Sequence, residues 1–164
     1  MLKKALLLFG LFILSVFTVF AEEDAGKRGD FWAAPGFEAA SYSTQGLAYG
    51  GSLTIGYGSG SMIGLKLAYF ISGDDVDTLE VSFLLRFYLS GRDVYSGAFI
   101  QVMGGPSVFN RSGDAFLPSY SGTLSAGLCF GWRFVFNDRW FIEPHVRSGV
   151  PYILGVGVCA GVRF

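Results

Sequence analysis

Charge is scarce in this sequence. Only 15% of its 164 residues are Asp, Glu, Lys or Arg, against about 25% in an ordinary soluble domain. Histidine occurs once, at His145, which excludes a histidine-rich metal centre within one chain. No metal ligand set and no cofactor is expected. Twelve basic residues stand against 13 acidic ones, a net charge of −1, so there is no basic field to attract nucleic acid. What is plentiful is apolar and small: 51% hydrophobic residues, 17% aromatic residues and 24 glycines. So many aromatics exclude low-complexity disorder, leaving a chain that is either membrane-embedded or heavily buried.

The first residues, Met1-Leu2-Lys3-Lys4, are positively charged, and Ala5 to Phe20 is an uncharged apolar run. Val19-Phe20-Ala21 then presents a signal-peptidase pattern ahead of Glu22-Glu23-Asp24. This reads as a helical signal peptide over 1–21. The alternative is a retained anchor, since the run falls only slightly short of the roughly 20 residues of a spanning helix. No cysteine stands at the cut, which argues against a lipoprotein. Losing Lys3 and Lys4 leaves ten bases against 13 acids, a net charge of −3. Residues 22–30 read as a disordered polar lead-in, and 31–164 as the folded domain.

The folded part is most legible at its end. From Tyr152 to Phe164 the even positions (Tyr152, Leu154, Val156, Val158, Ala160, Val162 and Phe164) are apolar. The odd ones include Gly155, Gly157, Cys159, Gly161 and Arg163, small or charged. A period of two is the period of a strand. Seven more such segments precede it, over 31–41, 47–57, 62–72, 78–89, 95–108, 121–136 and 140–147, with turn-forming residues between them. The longest connection is 109–120. Each segment has one apolar face, such as Leu79, Val81, Phe83, Leu85, Phe87 and Leu89 in the fourth, and none of these faces carries a charge. A charge on the lipid face of a barrel costs about 2–4 kcal/mol at mid-bilayer. A soluble ligand-binding barrel would show the reverse pattern, apolar within and wet without. The expected fold is all-β: a closed antiparallel eight-stranded up-and-down transmembrane β-barrel.

The opposite faces carry Glu38, Lys66, Glu80, Arg86, Arg133, Glu143, His145, Arg147 and Arg163. An eight-stranded lumen is just wide enough for side chains to fill, so these nine groups must meet. Because inward residues face inward residues, the connection between strands six and seven must hold an odd number of residues. With Asn137-Asp138-Arg139 as that loop, Phe136 opposes Trp140, Gly131 opposes His145 and Arg133 opposes Glu143, in a bidentate pair. Such a network is either a plug or a gate that re-pairs to open a pore. Cys129 and Cys159 both point inward with a strand between them, near 9–10 Å apart, too far for a disulfide. Two free thiols are expected. No nucleophile–base pair marks an enzyme.

Both termini are expected on the periplasmic side, with Phe31, Tyr57, Phe87, Phe134, Phe136, Trp140 and Phe164 in an aromatic belt. Tyr69, Tyr152 and the long 109–120 loop are expected on the outside. Asp74, Asp75 and Asp77 make an acidic outer loop, and Phe116, Leu117 and Tyr120 are the candidate contacts for a surface ligand.

The leader, the eight alternating strands and the terminal Phe164 resemble the small eight-stranded outer-membrane barrels, the OmpA-, OmpX- and OmpW-like group. The likeness covers nearly all of the chain after the leader, and it is architectural. It implies the outer membrane of a diderm bacterium, contact with lipid and lipopolysaccharide-type glycolipid, and a structural or surface role or a narrow channel. It also implies recognition by the barrel-assembly machinery through Val156, Val158, Ala160, Val162 and Phe164.

Overall fold

The computed structural model describes residues 29–43, 46–58, 61–73, 76–89, 96–111 and 119–164. The leader, the lead-in up to residue 28, Asp74, Asp75, Phe116 and Leu117 lie outside the described residues. Eight strands follow one another: β1 (Asp30–Tyr42), β2 (Gly46–Gly58), β3 (Ser61–Ser72), β4 (Val76–Tyr88), β5 (Gly97–Arg111), β6 (Ser119–Phe136), β7 (Trp140–Val150) and β8 (Tyr152–Arg163). Each pairs antiparallel with the next, and β8 returns to β1 to close the barrel. Closure leaves no strand edge, so the ladders satisfy the backbone without help from solvent.

Burial alternates along the strands as their sequences do. In β7, Phe141, Glu143, His145 and Arg147 are buried while Trp140, Ile142, Pro144 and Val146 are exposed. The outer surface is a wall of apolar side chains, among them Phe37, Leu53, Leu67, Phe83, Leu128, Phe130, Val156 and Val158. The inner surface holds every buried charge among the described residues, together with Trp32, Phe70, Phe99 and Phe141. The β6–β7 hairpin turns through Asn137 and Asp138, at φ of 51° and 56°. Asn and Asp tolerate that left-handed region better than most side chains. Phe136 opposes Trp140 and Gly131 opposes His145.

Several boundaries move. Asp30, expected in the lead-in, opens β1 opposite Gly58, its carboxylate 3.4 Å from Arg163 Nε. The fifth strand begins at Gly97 rather than Tyr95 and runs to Arg111, where it pairs with Ser119. The connection beyond it therefore shrinks to 112–118, comparable with 89–96 at the opposite end of the barrel. Loop length consequently does not distinguish the two ends.

Tyr152 is a clearer departure. Strict alternation places it outward, yet it is 1% exposed and points into the lumen. The β1–β8 register slips here, pairing Ser41 with Leu154 but Tyr42 with Tyr152. Ile153 is the extra residue of this β-bulge, and it faces outward beside Leu154. The Ser148 hydroxyl donates to the Ile153 carbonyl at 2.7 Å and holds the bulge.

Large inward rings are seated on glycines. Trp32 opposes Gly56 in the β1–β2 ladder, and a Cβ on Gly56 would stand 2.6 Å from the indole. Gly56→Val should therefore destabilise the barrel by about 1–3 kcal/mol, the usual cost of overpacking. Urea unfolding in micelles measures it, and a change within about 0.5 kcal/mol, typical of an unremarkable surface site, would mean the indole is not seated there.

Candidate functional site

Two buried ion clusters and a polar centre follow one another along the lumen. Toward the end where β1 begins and β8 finishes, the Glu143 carboxylate of β7 lies between two guanidiniums. Arg86 of β4 donates from Nη1 to Glu143 Oε1 at 2.6 Å, and Arg133 of β6 donates from Nε to the same oxygen. Arg86 also donates to Gln101 Oε1 at 3.0 Å and to the Tyr88 hydroxyl at 3.3 Å. Around them stand aromatic rings. The Arg133 guanidinium carbon is 3.9 Å from the centre of Phe141 and 4.7 Å from that of Trp32, and that of Arg86 is 4.0 Å from Phe99.

At the far end, Arg147 of β7 is the shared group. Its Nη1 donates to Glu80 Oε2 at 2.7 Å, its Nε lies 3.2 Å from Glu38 Oε2, and its guanidinium carbon is 4.0 Å from the Tyr152 ring. The Tyr42 hydroxyl donates to the other Glu80 oxygen. In the centre, Lys66 Nζ pairs with Glu38 Oε1, and His145 Nε2 stands 3.6 Å from the same atom. Cys129 and Cys159 are both buried free thiols.

Eight of the nine charged or ionisable residues expected inside are gathered there: Glu38, Lys66, Glu80, Arg86, Arg133, Glu143, His145 and Arg147. Arg163 is not among them. It sits half-buried at the rim, against Asp30. Arg133 does meet Glu143, but not as a bidentate fork. Its Nε makes the contact, while Nη1 and Nη2 have no hydrogen-bond partner among the described residues. The second place on Glu143 Oε1 is taken by Arg86 from the opposite wall. Sequence reading missed Tyr42, Tyr88, Gln101 and Tyr152 as members of the network. Parity places Gln101 inward, but an uncharged side chain there gives no sign of a network. Tyr152 was hidden by the bulge. Nor did it anticipate that Glu38, His145 and Cys159 would converge, their potential metal-binding atoms all within 4.8 Å of one another.

The last strand places Val156, Val158, Ala160 and Phe164 on the outer face, with Val162 half-buried opposite Trp140. The Phe164 amide donates to the Phe31 carbonyl at 2.8 Å, and the two rings lie 6.3 Å apart.

No protein-family model matches the chain, and no curated protein matches it in sequence. Solved structures do. The N-terminal β-barrel domain of Pseudomonas aeruginosa OprF superposes with a TM-score of 0.59 at 15% identity, covering 84% of this chain and 98% of that one. The attachment invasion locus protein Ail of Yersinia pestis, in complex with the heparin analogue sucrose octasulfate, gives 0.54 at 13% identity, covering 83% and 97%. Neisserial surface protein A gives 0.53 at 14% identity, covering 82% and 95%. The chain has the fold of the small eight-stranded barrels of outer-membrane proteins.

Removing one partner of a buried pair strands the other, at about 3–5 kcal/mol. Glu143→Ala strands two guanidiniums and should reach the upper part of that range. In a double-mutant cycle with Arg133→Ala, unfolding should show a coupling of about 0.5–3 kcal/mol, whereas additivity within about 0.5 kcal/mol would rule out direct contact.

Proposed function

We propose that this protein is an integral outer-membrane β-barrel of a diderm bacterium, with a structural or surface role and a lumen closed by its own charge network. The observation that carries this reading is the inversion of the two faces. Ionic groups are paired and buried inside, while the outside is apolar around the whole circumference. Water would be a poor solvent for such an exterior, and a bilayer a suitable one. The fold shared with OprF, Ail and Neisserial surface protein A supports the same setting.

The exposed rings of Phe31, Tyr57, Phe134, Phe136, Trp140 and Phe164 cluster at the end where β1 begins and β8 finishes. They suit one interfacial belt and support periplasmic termini. The lipid-facing Val156, Val158, Ala160 and Phe164 would be presented to the barrel-assembly machinery, and the outer wall to lipid and lipopolysaccharide-type glycolipid. The reading is not catalytic, since the one histidine faces a carboxylate and a backbone carbonyl rather than a hydroxyl nucleophile.

Single-channel recording in planar bilayers tests the plug against a narrow channel, with folding and insertion verified by heat-dependent gel mobility. The parent barrel should be silent, and the Arg133→Ala variant should show discrete steps. Steps in the parent would establish the channel instead.

A further inference from the structure

We propose that Glu38, His145 and Cys159 form a binding site inside the barrel for a borderline divalent metal ion of the zinc type. The three residues come from β1, β7 and β8, around the closing seam. Gly157 of β8 lies opposite Glu38 on one side and His145 on the other. A Cβ there would stand 2.6 Å from Glu38 Cγ and 2.8 Å from His145 Nε2, so only a glycine lets the two approach. Cys159 follows two residues along the same strand. Its Sγ lies 2.6 Å from the point where a Cβ on Gly36 would be, and Ser52 Oγ lies 3.0 Å from that same point.

The imidazole nitrogen, the thiol sulfur and a carboxylate oxygen all lie within 4.8 Å of one another, and Nε2 to Oε1 is 3.6 Å. Tetrahedral zinc, with bonds of about 2.0–2.3 Å, holds neighbouring donors about 3.3–3.5 Å apart. Nitrogen and oxygen are thus near their final spacing, and the thiol has the remaining distance to close. Two further observations point to a ligand. His145 Nδ1 lies 3.3 Å from the Glu143 carbonyl oxygen. A metal-binding imidazole donates its second ring N–H in this way and turns the lone pair of the other nitrogen to the ion. Ser52 is only 8% exposed, and its hydroxyl oxygen has no hydrogen-bond partner among the described residues. It and the Cys159 thiol both border the point a Cβ on Gly36 would occupy, which makes it the candidate fourth, oxygen donor.

The donor set selects the metal. One thiolate, one neutral imidazole and one carboxylate suit zinc and its surrogate cobalt, whereas magnesium and calcium seek oxygen alone. Binding releases the Cys159 thiol proton to water. Lys66 is the competitor, because it now holds Glu38 Oε1; Oε2 stays with Arg147.

The test is to add Co2+ to the protein during and after refolding into micelles, and then to displace it with Zn2+. The expected result is one cobalt per chain, with a thiolate-to-cobalt charge-transfer band in the near ultraviolet and the visible bands of tetrahedral cobalt. Cys129→Ser should keep the charge-transfer band and Cys159→Ser should lose it. His145→Gln should weaken Zn2+ binding more than about tenfold, since even outer-shell losses cost that much. A parent protein without the band under either loading protocol overturns the site, as does a band that survives Cys159→Ser. Gel mobility reports whether each variant folds, and the parent spectrum decides the matter if one does not. Neither outcome bears on the lumen as a plug.

Discussion

Closure at eight strands is the constraint on which the rest of the structure depends. It removes every strand edge, and it leaves a lumen only as wide as the side chains that point into it. Any group placed inside must therefore be met by another inside group. Three carboxylates, Glu38, Glu80 and Glu143, face four cations, Lys66, Arg86, Arg133 and Arg147. The chain satisfies them by sharing. Glu143 serves Arg86 and Arg133, and Arg147 serves Glu38 and Glu80. The surplus cation is met by rings, with Arg133 lying against Phe141 and Trp32. A desolvated cation gains about 2 kcal/mol or more from such a face.

The same constraint sets the sizes of the uncharged residues. Across the ladders, bulk is set against its absence: Trp32 opposes Gly56, Phe99 opposes Gly131, and Phe141 opposes Gly161. In each case a Cβ on the glycine would fall 2.3–2.6 Å from the ring that faces it. The glycines are therefore places where rings lie down.

How much of this is legible in the sequence depends on the distance over which a relation acts. Alternation within a strand is local, so the outward faces of Leu79 to Leu89 or Leu124 to Phe136 follow from a period of two. The pairing of Arg133 with Glu143 follows from parity and one short turn. The bulge at Ile153 does not follow, because Tyr152, Ile153 and Leu154 are all apolar and no break in polarity marks the slip. The ends of β5 and β6 stay hidden because Phe109 and Tyr120 read equally well as loop or strand. The bridges that cross the lumen are the least accessible. Arg86 with Glu143 links β4 to β7, and Lys66 with Glu38 links β3 to β1. Those strands are not neighbours, and placing one opposite the other requires the register of every ladder between them.

These cross-lumen bridges also bear on what the barrel can do. Ladder hydrogen bonds hold each strand to its neighbours but do little to stop a ring of strands from flattening. Arg86–Glu143, Arg147–Glu80, Arg147–Glu38 and Lys66–Glu38 run between strands that do not touch through the backbone. They act as struts across the section. Because Glu143 and Arg147 each serve two partners, loosening one strut exposes a charge in the next, and the cost of an isolated buried charge spreads to the whole set. Swinging one side chain aside within the intact set would therefore not open the lumen, whereas removing a member of the set disturbs its partners with it. A barrel braced in this way is suited to being a rigid body, with its apolar wall and its rims as the surfaces left to meet other molecules.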